Sequence, residues 1–450
     1  MAVYEGMIEK LTPEGDGALT DVKGCLVSIP GTLPGEKVRY RVEHVSPHEK
    51  RVWASCCAVL QKCPERREAP CRESWPTRGA CGGCPLMHMN DALQAAFKKN
   101  LVLDVLKKNG LNYISDIEYV RSPNVLGYRN RTDLVAGVFR GRAMLGSYEP
   151  RTHRVVPTRR CPILRSPLSQ ALNACVNVMN EQHIPVFELG RNMRSTLRYV
   201  SFFANDAGDV LIDFVVMSDA GKRPEWVKRF AFALKDAFVR LQGVSFSIND
   251  SANNAIRIAP STVLWGDSLL SEHYGELETR LCASGFTQLN SEVAAMVYAS
   301  GRDWLGHKSH VVWDLYCGAG SFGRTLAPTH RLFGAEFSER AIETAEQLAQ
   351  NDPWASVYEV MDLEKVWPDH WTRPDVILVD PPRKGLSELV IQKLCEMHGT
   401  DLIYMSCNPE SFAKNAAKLD PFYIIERIAA FDMMPQTRHV ELLALMRPRS

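Results

Sequence analysis

The chain has 450 residues, 45% of them hydrophobic, and its 53 Lys and Arg nearly balance 52 Asp and Glu. That length supports two or three domains, each with a core of its own. No stretch approaches the roughly 18 uncharged apolar residues of a membrane span, and the opening MAVYEGMIEK lacks the cationic and apolar regions of a signal peptide. A cytoplasmic protein without membrane contact is therefore expected.

In chain order, the first sixty residues alternate short β-like runs with the turn signals Gly15-Asp16-Gly17, Lys23-Gly24, Pro30-Gly31 and Pro34-Gly35. Closely spaced short strands predict a small β-barrel over 1–62. From Lys62 to Pro85 the chain is rich in Cys, Pro and Arg and cannot build an apolar core, so a bound metal is the expected source of order. The thirteen cysteines are odd in number and unevenly spaced, which argues for reduced thiols, metal ligands or catalysis over disulfides. Cys81-Gly82-Gly83-Cys84 has metal-ligand spacing, and Cys71 and Cys161 each stand beside a proline in suitable context. Four thiolates hold either tetrahedral zinc or an iron–sulfur cluster, and spacing alone does not choose. Cys56 and Cys57 lack such context and are expected to be structural.

A helix is predicted over 91–110, capped by Asn90 or Asp91, with Leu93, Phe97, Leu101 and Val105 on one face and Gly110 at its end. Strand-like runs at 199–204 and 210–217 and a helix near 225–241 make the middle of the chain a mixed α+β domain. The central domain is taken as 63–285, with the helix 91–110 free to pack on the domain that follows.

Charge is polarised along the chain. Residues 51–200 hold 23 Lys and Arg against 11 Asp and Glu, whereas residues 201–450 hold 24 against 33. Within 121–165 there are ten arginines, no lysine and two acids. Arginine forks suit phosphate oxygens and stack on bases, so this block is a candidate nucleic-acid surface. The plainer alternative is a basic face paired with acids elsewhere in the fold.

After Phe286 the pattern becomes strand, loop, helix, repeated, which predicts a doubly wound α/β sheet over 286–450 with ligands beyond the carboxyl ends of its strands. Asp314-Leu315-Tyr316-Cys317-Gly318-Ala319-Gly320 follows the first apolar run, and Glu336 stands about 20 residues on, where an acid can grip ribose hydroxyls. The third glycine of a dinucleotide site is missing. With an acid before the loop, the combination resembles the S-adenosylmethionine-binding loop of class I methyltransferases.

Asp380-Pro381-Pro382-Arg383 superficially resembles the signature of amino-group methyltransferases, but Arg383 replaces their aromatic residue. The next strand ends in Ser406-Cys407-Asn408-Pro409 and so presents a thiol. Uracil C5 is a poor nucleophile; a thiolate adding to C6 makes C5 enolate-like, and a base must later remove the C5 proton. The chemistry asks for one cysteine and one base.

The base is offered by Phe431-Asp432-Met433-Met434-Pro435-Gln436-Thr437-Arg438-His439-Val440-Glu441. FTQLN (286–290), DLYCGAGSF, GAE, DPPR, SCNP and DMMPQTRHVE, in that order, resemble the motifs of the RNA 5-methyluridine methyltransferase family. The resemblance implies Cys407 as nucleophile and Glu441 as base. It also implies S-adenosylmethionine contacts from Gln288, Tyr316, Ser321, Glu336, Asp362 and Asp380, Ser321 standing where the family often has Asn. Members acting on 23S ribosomal RNA carry a similar CGGC and a distant Cys-Pro-Ile-Leu, here Cys161-Pro162-Ile163-Leu164, around a [4Fe–4S] cluster. Cys71, Cys81, Cys84 and Cys161 would then be the ligands. The interval from Cys71 to Cys81 is longer than is usual for the family, which keeps Cys63 as a rival first ligand and zinc as the alternative metal. The amino-terminal residues look like a TRAM domain, an OB-like RNA-binding barrel. The whole is expected to be a monomer with a Rossmann-like class I methyltransferase domain, acting on RNA: 23S ribosomal RNA first, transfer RNA second. A non-catalytic RNA-binding iron–sulfur protein is the reading from another class.

Overall fold

The computed structural model describes residues 3–74, 79–150, 152–188, 194–219, 221–251, 255–306, 310–326, 331–350, 352 and 354–449. Arg151 of the arginine block lies outside them.

The amino-terminal residues form one six-stranded sheet in the order Val3–Met7, Lys37–Val45, Arg51–Gln61, Leu26–Ile29, Gly17–Thr20, Lys10–Leu11. Three register shifts between Lys37–Val45 and Arg51–Gln61 increase the local twist. They curl the sheet around a core of Ile8, Leu19, Val27, Ile29, Val38 and Val52. Gly17 is obligatory where two backbones meet, since a Cβ there would lie 2.2 Å from Thr32 Oγ1. Buried Glu36 accepts from the Leu33 N–H at 2.9 Å and pairs with Arg66, fastening the curled sheet to the Cys-rich segment.

The middle of the chain is built on a seven-stranded sheet ordered Val155–Pro157, Arg142–Tyr148, Arg131–Phe139, Thr196–Ala204, Val210–Met217, Leu241–Ile248, Thr262–Gly266. Helices Ser166–Glu181 and Trp226–Ala237 cover one face, where Leu134, Ala136, Phe202, Phe214, Phe230 and Leu234 form the core. The second helix ends earlier than the predicted 241, because Phe238 turns extended and Leu241 opens the next strand.

The eight-stranded sheet is ordered Ser356–Val360, Arg331–Glu336, Val311–Leu315, Val376–Val379, Asp401–Ser406, Glu441–Pro448, Tyr423–Phe431, Glu118–Val120. Its first five strands run parallel, and Glu441–Pro448 is antiparallel to both neighbours. Chain direction across the sheet reverses between Val311–Leu315 and Val376–Val379, the switch point at which such sheets open a crevice for ligand. Both faces are covered, as parallel strands require. Val390, Leu394, Phe412 and Leu419 fill one side, and Val293, Val297, Phe322 and Ile342 the other.

Helix Asp91–Lys108 and strand Glu118–Val120 precede the central sheet in sequence yet belong to this one: Val102 and Leu106 join its core, and Glu118–Val120 extends its edge. Asn90 caps the helix by accepting from the Leu93 N–H at 2.8 Å. The buried face differs from the predicted one. It consists of Gln94, Phe97, Lys98, Val102 and Leu106, while Leu101 and Val105 are only partly buried. The helix is rotated so that two polar side chains, Gln94 and Lys98, reach inward to the carboxy-terminal loop.

Candidate active site

The carboxyl ends of the strands Val311–Leu315, Arg331–Glu336, Val376–Val379 and Asp401–Ser406 deliver Tyr316, Glu336, Asp380 and Cys407 to one rim. The loop after the first strand turns through Tyr316 at φ 64°, Gly318 at 55° and Gly320 at 75°. Gly320 admits no side chain, since its Cβ would sit 2.6 Å from the Tyr358 hydroxyl. Positive φ at Tyr316 is uncommon outside glycine and costs on the order of 1–3 kcal/mol, a strain typical of binding loops. Glu336 pins the loop, accepting from the Gly318 N–H at 3.3 Å and the Ser338 N–H at 2.9 Å. Ser321 opens the short helix Ser321–Thr325 and its hydroxyl lies 3.1 Å from that of Thr279.

Gln288 arrives from outside the sheet and is buried. Asn130, itself wholly buried, donates through Nδ2 to the Gln288 carbonyl at 2.8 Å and to Ser291 Oγ at 3.0 Å. Asp362 accepts from Lys365 Nζ at 2.8 Å and the Glu364 N–H at 3.2 Å; the lysine holds its carboxyl below the usual range.

Carboxylates dominate the crevice. Burial pushes Asp380 up to about 7, helped by the charge of Glu336. Asp314, absent from the sequence-derived set, is pushed up to about 7 by burial and accepts from the Gly323 N–H at 3.0 Å. Its signal was the acid opening the DLYCG motif.

Cys407 immediately precedes Asn408, the cap of helix Pro409–Leu419, and Asn408 Nδ2 donates to the Arg383 carbonyl at 2.8 Å. The SCNP and DPPR segments are thereby tied together. Burial pushes the Cys407 thiol up to about 11, the charges of Glu441 and Asp380 add to that, and Arg383 opposes it. Glu441 is 5% exposed, and its Oε1 has no hydrogen-bond partner among the described residues. Burial and Asp380 hold its carboxyl well above the usual range, and Arg383 again opposes. A buried carboxylate oxygen without a partner is costly and is kept where a ligand will meet it. His439 lies among Arg383, Arg438, Lys98 and Arg129; burial first, then these cations, press its imidazole down to about 4, so it is neutral at physiological pH.

The loop bearing Glu441 is held from behind. Lys98 Nζ donates to Asp432 Oδ1 at 2.5 Å and to the Met434 carbonyl at 3.1 Å. Gln436, at φ 71° and 1% exposed, accepts at Oε1 from Arg67 at 2.6 Å and from Gln94 at 3.0 Å. Its carbonyl takes the Leu86 N–H at 3.0 Å, and Tyr128 donates to the Pro435 carbonyl at 3.0 Å.

Cys71, Cys84 and Cys161 share a small cluster with Met87, Tyr128 and Ile163. Burial raises all three thiols, and neighbouring cysteines, Cys81 among them, raise them further. Cys63 packs elsewhere, with Leu33, Leu86, Met89 and Phe97. Among the described residues no three His, Cys, Asp or Glu side chains converge closely enough to hold a metal ion. The arginine block divides: Arg165 is bidentate to Glu272 and Arg131 bonds the Gly285 carbonyl, whereas Arg121, Arg140, Arg142, Arg154, Arg159 and Arg160 are exposed.

A crevice rich in carboxylates, two of them driven toward neutrality by burial, suits a ligand that brings positive charge. S-adenosylmethionine does so through its sulfonium and ammonium groups. Fold and site together define an S-adenosylmethionine-dependent methyltransferase.

Comparison with known proteins agrees. The profile of the tRNA (uracil-5-)-methyltransferase family matches residues 356–448. An uncharacterised RNA methyltransferase of Caldanaerobacter subterraneus is 31% identical over 432 residues, covering 94% of each chain. Another from Halalkalibacterium halodurans is 29% identical over 99% of this chain and 96% of its own. The crystal structure of Pyrococcus abyssi tRNA (uracil-54, C5)-methyltransferase with S-adenosyl-L-homocysteine superposes with a TM-score of 0.77 at 27% identity, covering 98% of this chain and all of that one. The chain belongs to the family of these RNA methyltransferases and is an RNA methyltransferase. No helix among the described residues is long and apolar enough to cross a membrane.

Proposed function

We propose that this enzyme forms 5-methyluridine in 23S ribosomal RNA, acting as a cytoplasmic monomer with Cys407 as nucleophile and Glu441 as base. The observation that carries the chemistry is a half-buried thiol within the field of a buried carboxylate whose Oε1 has no partner among the described residues. Bound S-adenosylmethionine supplies an electrophilic methyl group. Cys407, as thiolate, adds to uracil C6, and the electron pair moves to C5, which takes the methyl. Glu441 then removes the C5 proton, the C5=C6 bond re-forms and the C6–S bond breaks. Burial pushes the thiol up to about 11 and Arg383 opposes that shift, so the free enzyme holds the thiol protonated and its proton must leave to solvent before addition. Uracil C5 is hidden in a stack, so the target stands in a loop or is flipped into the crevice.

Gln288, Tyr316, Ser321, Glu336, Asp362 and Asp380 are the proposed cofactor contacts. Cys71, Cys81, Cys84 and Cys161 are the proposed ligands of a [4Fe–4S] cluster. Cys63 is set aside because it packs into a different apolar group. Zinc would need its sulfurs about 2.3 Å from one centre. The cluster assignment rests on the resemblance of Cys81-Gly82-Gly83-Cys84 and Cys161-Pro162-Ile163-Leu164, and on Cys71, Cys84 and Cys161 lying together in one small packed group. We assign residues 1–62 to a TRAM-like RNA-binding unit, 63–285 to a central unit whose helix Asp91–Lys108 and strand Glu118–Val120 join the catalytic sheet, and 286–450 to the catalytic unit.

The curled amino-terminal sheet and the four cysteines favour ribosomal RNA. The second reading, transfer RNA, rests on the likeness to the Pyrococcus abyssi enzyme. Mapping 5-methyluridine in 23S and transfer RNA from cells lacking this protein separates them. Loss of one 23S site with transfer RNA unchanged is the expected result, and loss from transfer RNA alone overturns the assignment.

A further inference from the structure

Among the described residues, both helices of the seven-stranded sheet lie on one face; on the other, Phe203 and Leu211 pack into the core of the catalytic unit. Along Arg131–Phe139, Leu134 and Ala136 point into the helix-covered core, so Arg131, Asp133, Val135 and Gly137 point the other way. Near the catalytic unit that face carries a largely buried polar network: Arg257 bonds Asp213 at 3.0 Å and also Ser201, which in turn bonds Asp133. Farther along, it hollows into a cavity of about 320 Å³ lined by Val135, Gly137, Tyr148, His153, Phe187 and Tyr199, with Arg198 at its wall. That volume lies at the small end of ligand sites, about 300–1,000 Å³.

Its walls are aromatic and cationic together. Tyr148 and His153 meet edge to face, with centroids 5.8 Å apart. The Arg198 guanidinium lies 5.2 Å from the Phe187 ring and 5.6 Å from the Tyr199 ring. It is locked there by donating to the Asn249 carbonyl at 2.7 Å, Asn249 Oδ1 at 3.1 Å and the Ser251 carbonyl at 2.8 Å. Tyr148 remains 39% exposed and Phe139 at the rim 48%. Arg154 also lines the cavity and is exposed, as are Arg140 and Arg142 at the turn that follows Phe139. A cavity with the exposed rings of Tyr148, Phe139 and His153 at its rim and a fixed guanidinium in its wall has the chemistry on which an unpaired base stacks.

The cavity is separate from the methylation site. Asn130, which holds the Gln288 carbonyl, and Gly137, in the cavity, are seven positions apart on one extended run, or about 23 Å at ~3.3 Å per residue. We infer that this cavity binds a second unpaired nucleobase of the same RNA, a few nucleotides from the target uridine, and so contributes to choosing which uridine is methylated. The inference rests on the proposed RNA uracil-5 activity and adds a specificity site to it.

The test uses the RNA fragment carrying the mapped uridine, made abasic at one position at a time, with the full-length enzyme and Tyr148→Ala. One abasic position other than the target should weaken binding to the unaltered enzyme by roughly 5- to 150-fold, the range of single base–aromatic stacks. The same change should cost Tyr148→Ala nothing further, and Tyr148→Phe should restore the penalty. S-adenosylhomocysteine binding and kcat at saturating RNA should stay unchanged in both variants, which also reports that they fold. His153→Ala serves as an independent variant with the same expectation. Equal abasic penalties in all proteins overturn the inference, as does a fall in kcat with RNA affinity intact, or binding of free mononucleotides that does not compete with the RNA. An enzyme that shows the coupled penalty but transfers no methyl group would count against the uracil-5 chemistry and not against the cavity.

Discussion

Asp380 and Asp314 sit at about 7 because they are buried among other carboxylates, and each is roughly half protonated at neutral pH. A cationic cofactor favours their ionised forms, so binding expels protons. The sign follows: affinity for S-adenosylmethionine rises as pH increases from 6 to 8 and levels off above, where both acids are already charged. Calorimetry at pH 7 in two buffers of different ionisation enthalpy should give different heats, and Asp380→Asn should shrink that difference. Identical heats would mean that these carboxyls do not titrate with binding. Cys407 and Glu441 were legible from the sequence because the chemistry of C5 demands a thiol and a base. Lys98 and Gln94 were not, because lysine and glutamine on an amphipathic helix are normally solvated. Only the fold shows them turned inward to Asp432 and Gln436. Removing one partner of such a buried pair costs about 3–5 kcal/mol, which explains why the helix rotates to keep it.

The Cys-rich stretch read from Lys62 to Pro85, with Leu86 just after it, backs the catalytic loop through its described residues. Arg67 and the Leu86 N–H both bond Gln436, five residues before Glu441. The segment has little periodicity, and although its cysteines pointed to a metal, nothing in the sequence tied it to Gln436, more than 300 residues away. The alternating strand and helix pattern after 286 was readable because each parallel strand is a short apolar run ending at a polar motif. The edge strand Glu118–Val120 was not, being three residues long and partly exposed. If the four cysteines hold a cluster that orders this segment, Cys84→Ser prepared without oxygen should lack iron and acid-labile sulfide. Amide exchange should then speed up across 432–437, while the distant strand Val210–Met217 is unchanged. Unaltered exchange after loss of iron would separate the metal from the loop, and stoichiometric zinc without iron would replace the cluster.

At the scale of the molecule, charge and architecture divide the work. The basic stretch 51–200 builds the Cys-rich segment and much of the seven-stranded sheet, and the acidic remainder builds the crevice that suits a cationic cofactor. The arginine block was legible as composition, but its split into structural and exposed members required the partners Glu272 and Asp133 to be seen. The central claim is that Cys407 and Glu441 act in sequence on one uracil, and a single variant reads both steps. Glu441→Gln leaves C6 addition and methyl transfer possible, because neither needs a base at C5, but elimination then stalls. Incubated with target RNA and methyl-labelled S-adenosylmethionine, this variant should give a slow-migrating, denaturation-resistant protein–RNA band carrying the label, and Cys407→Ala should give none. Free turnover by Glu441→Gln, or RNA binding with no labelled adduct, would contradict the account.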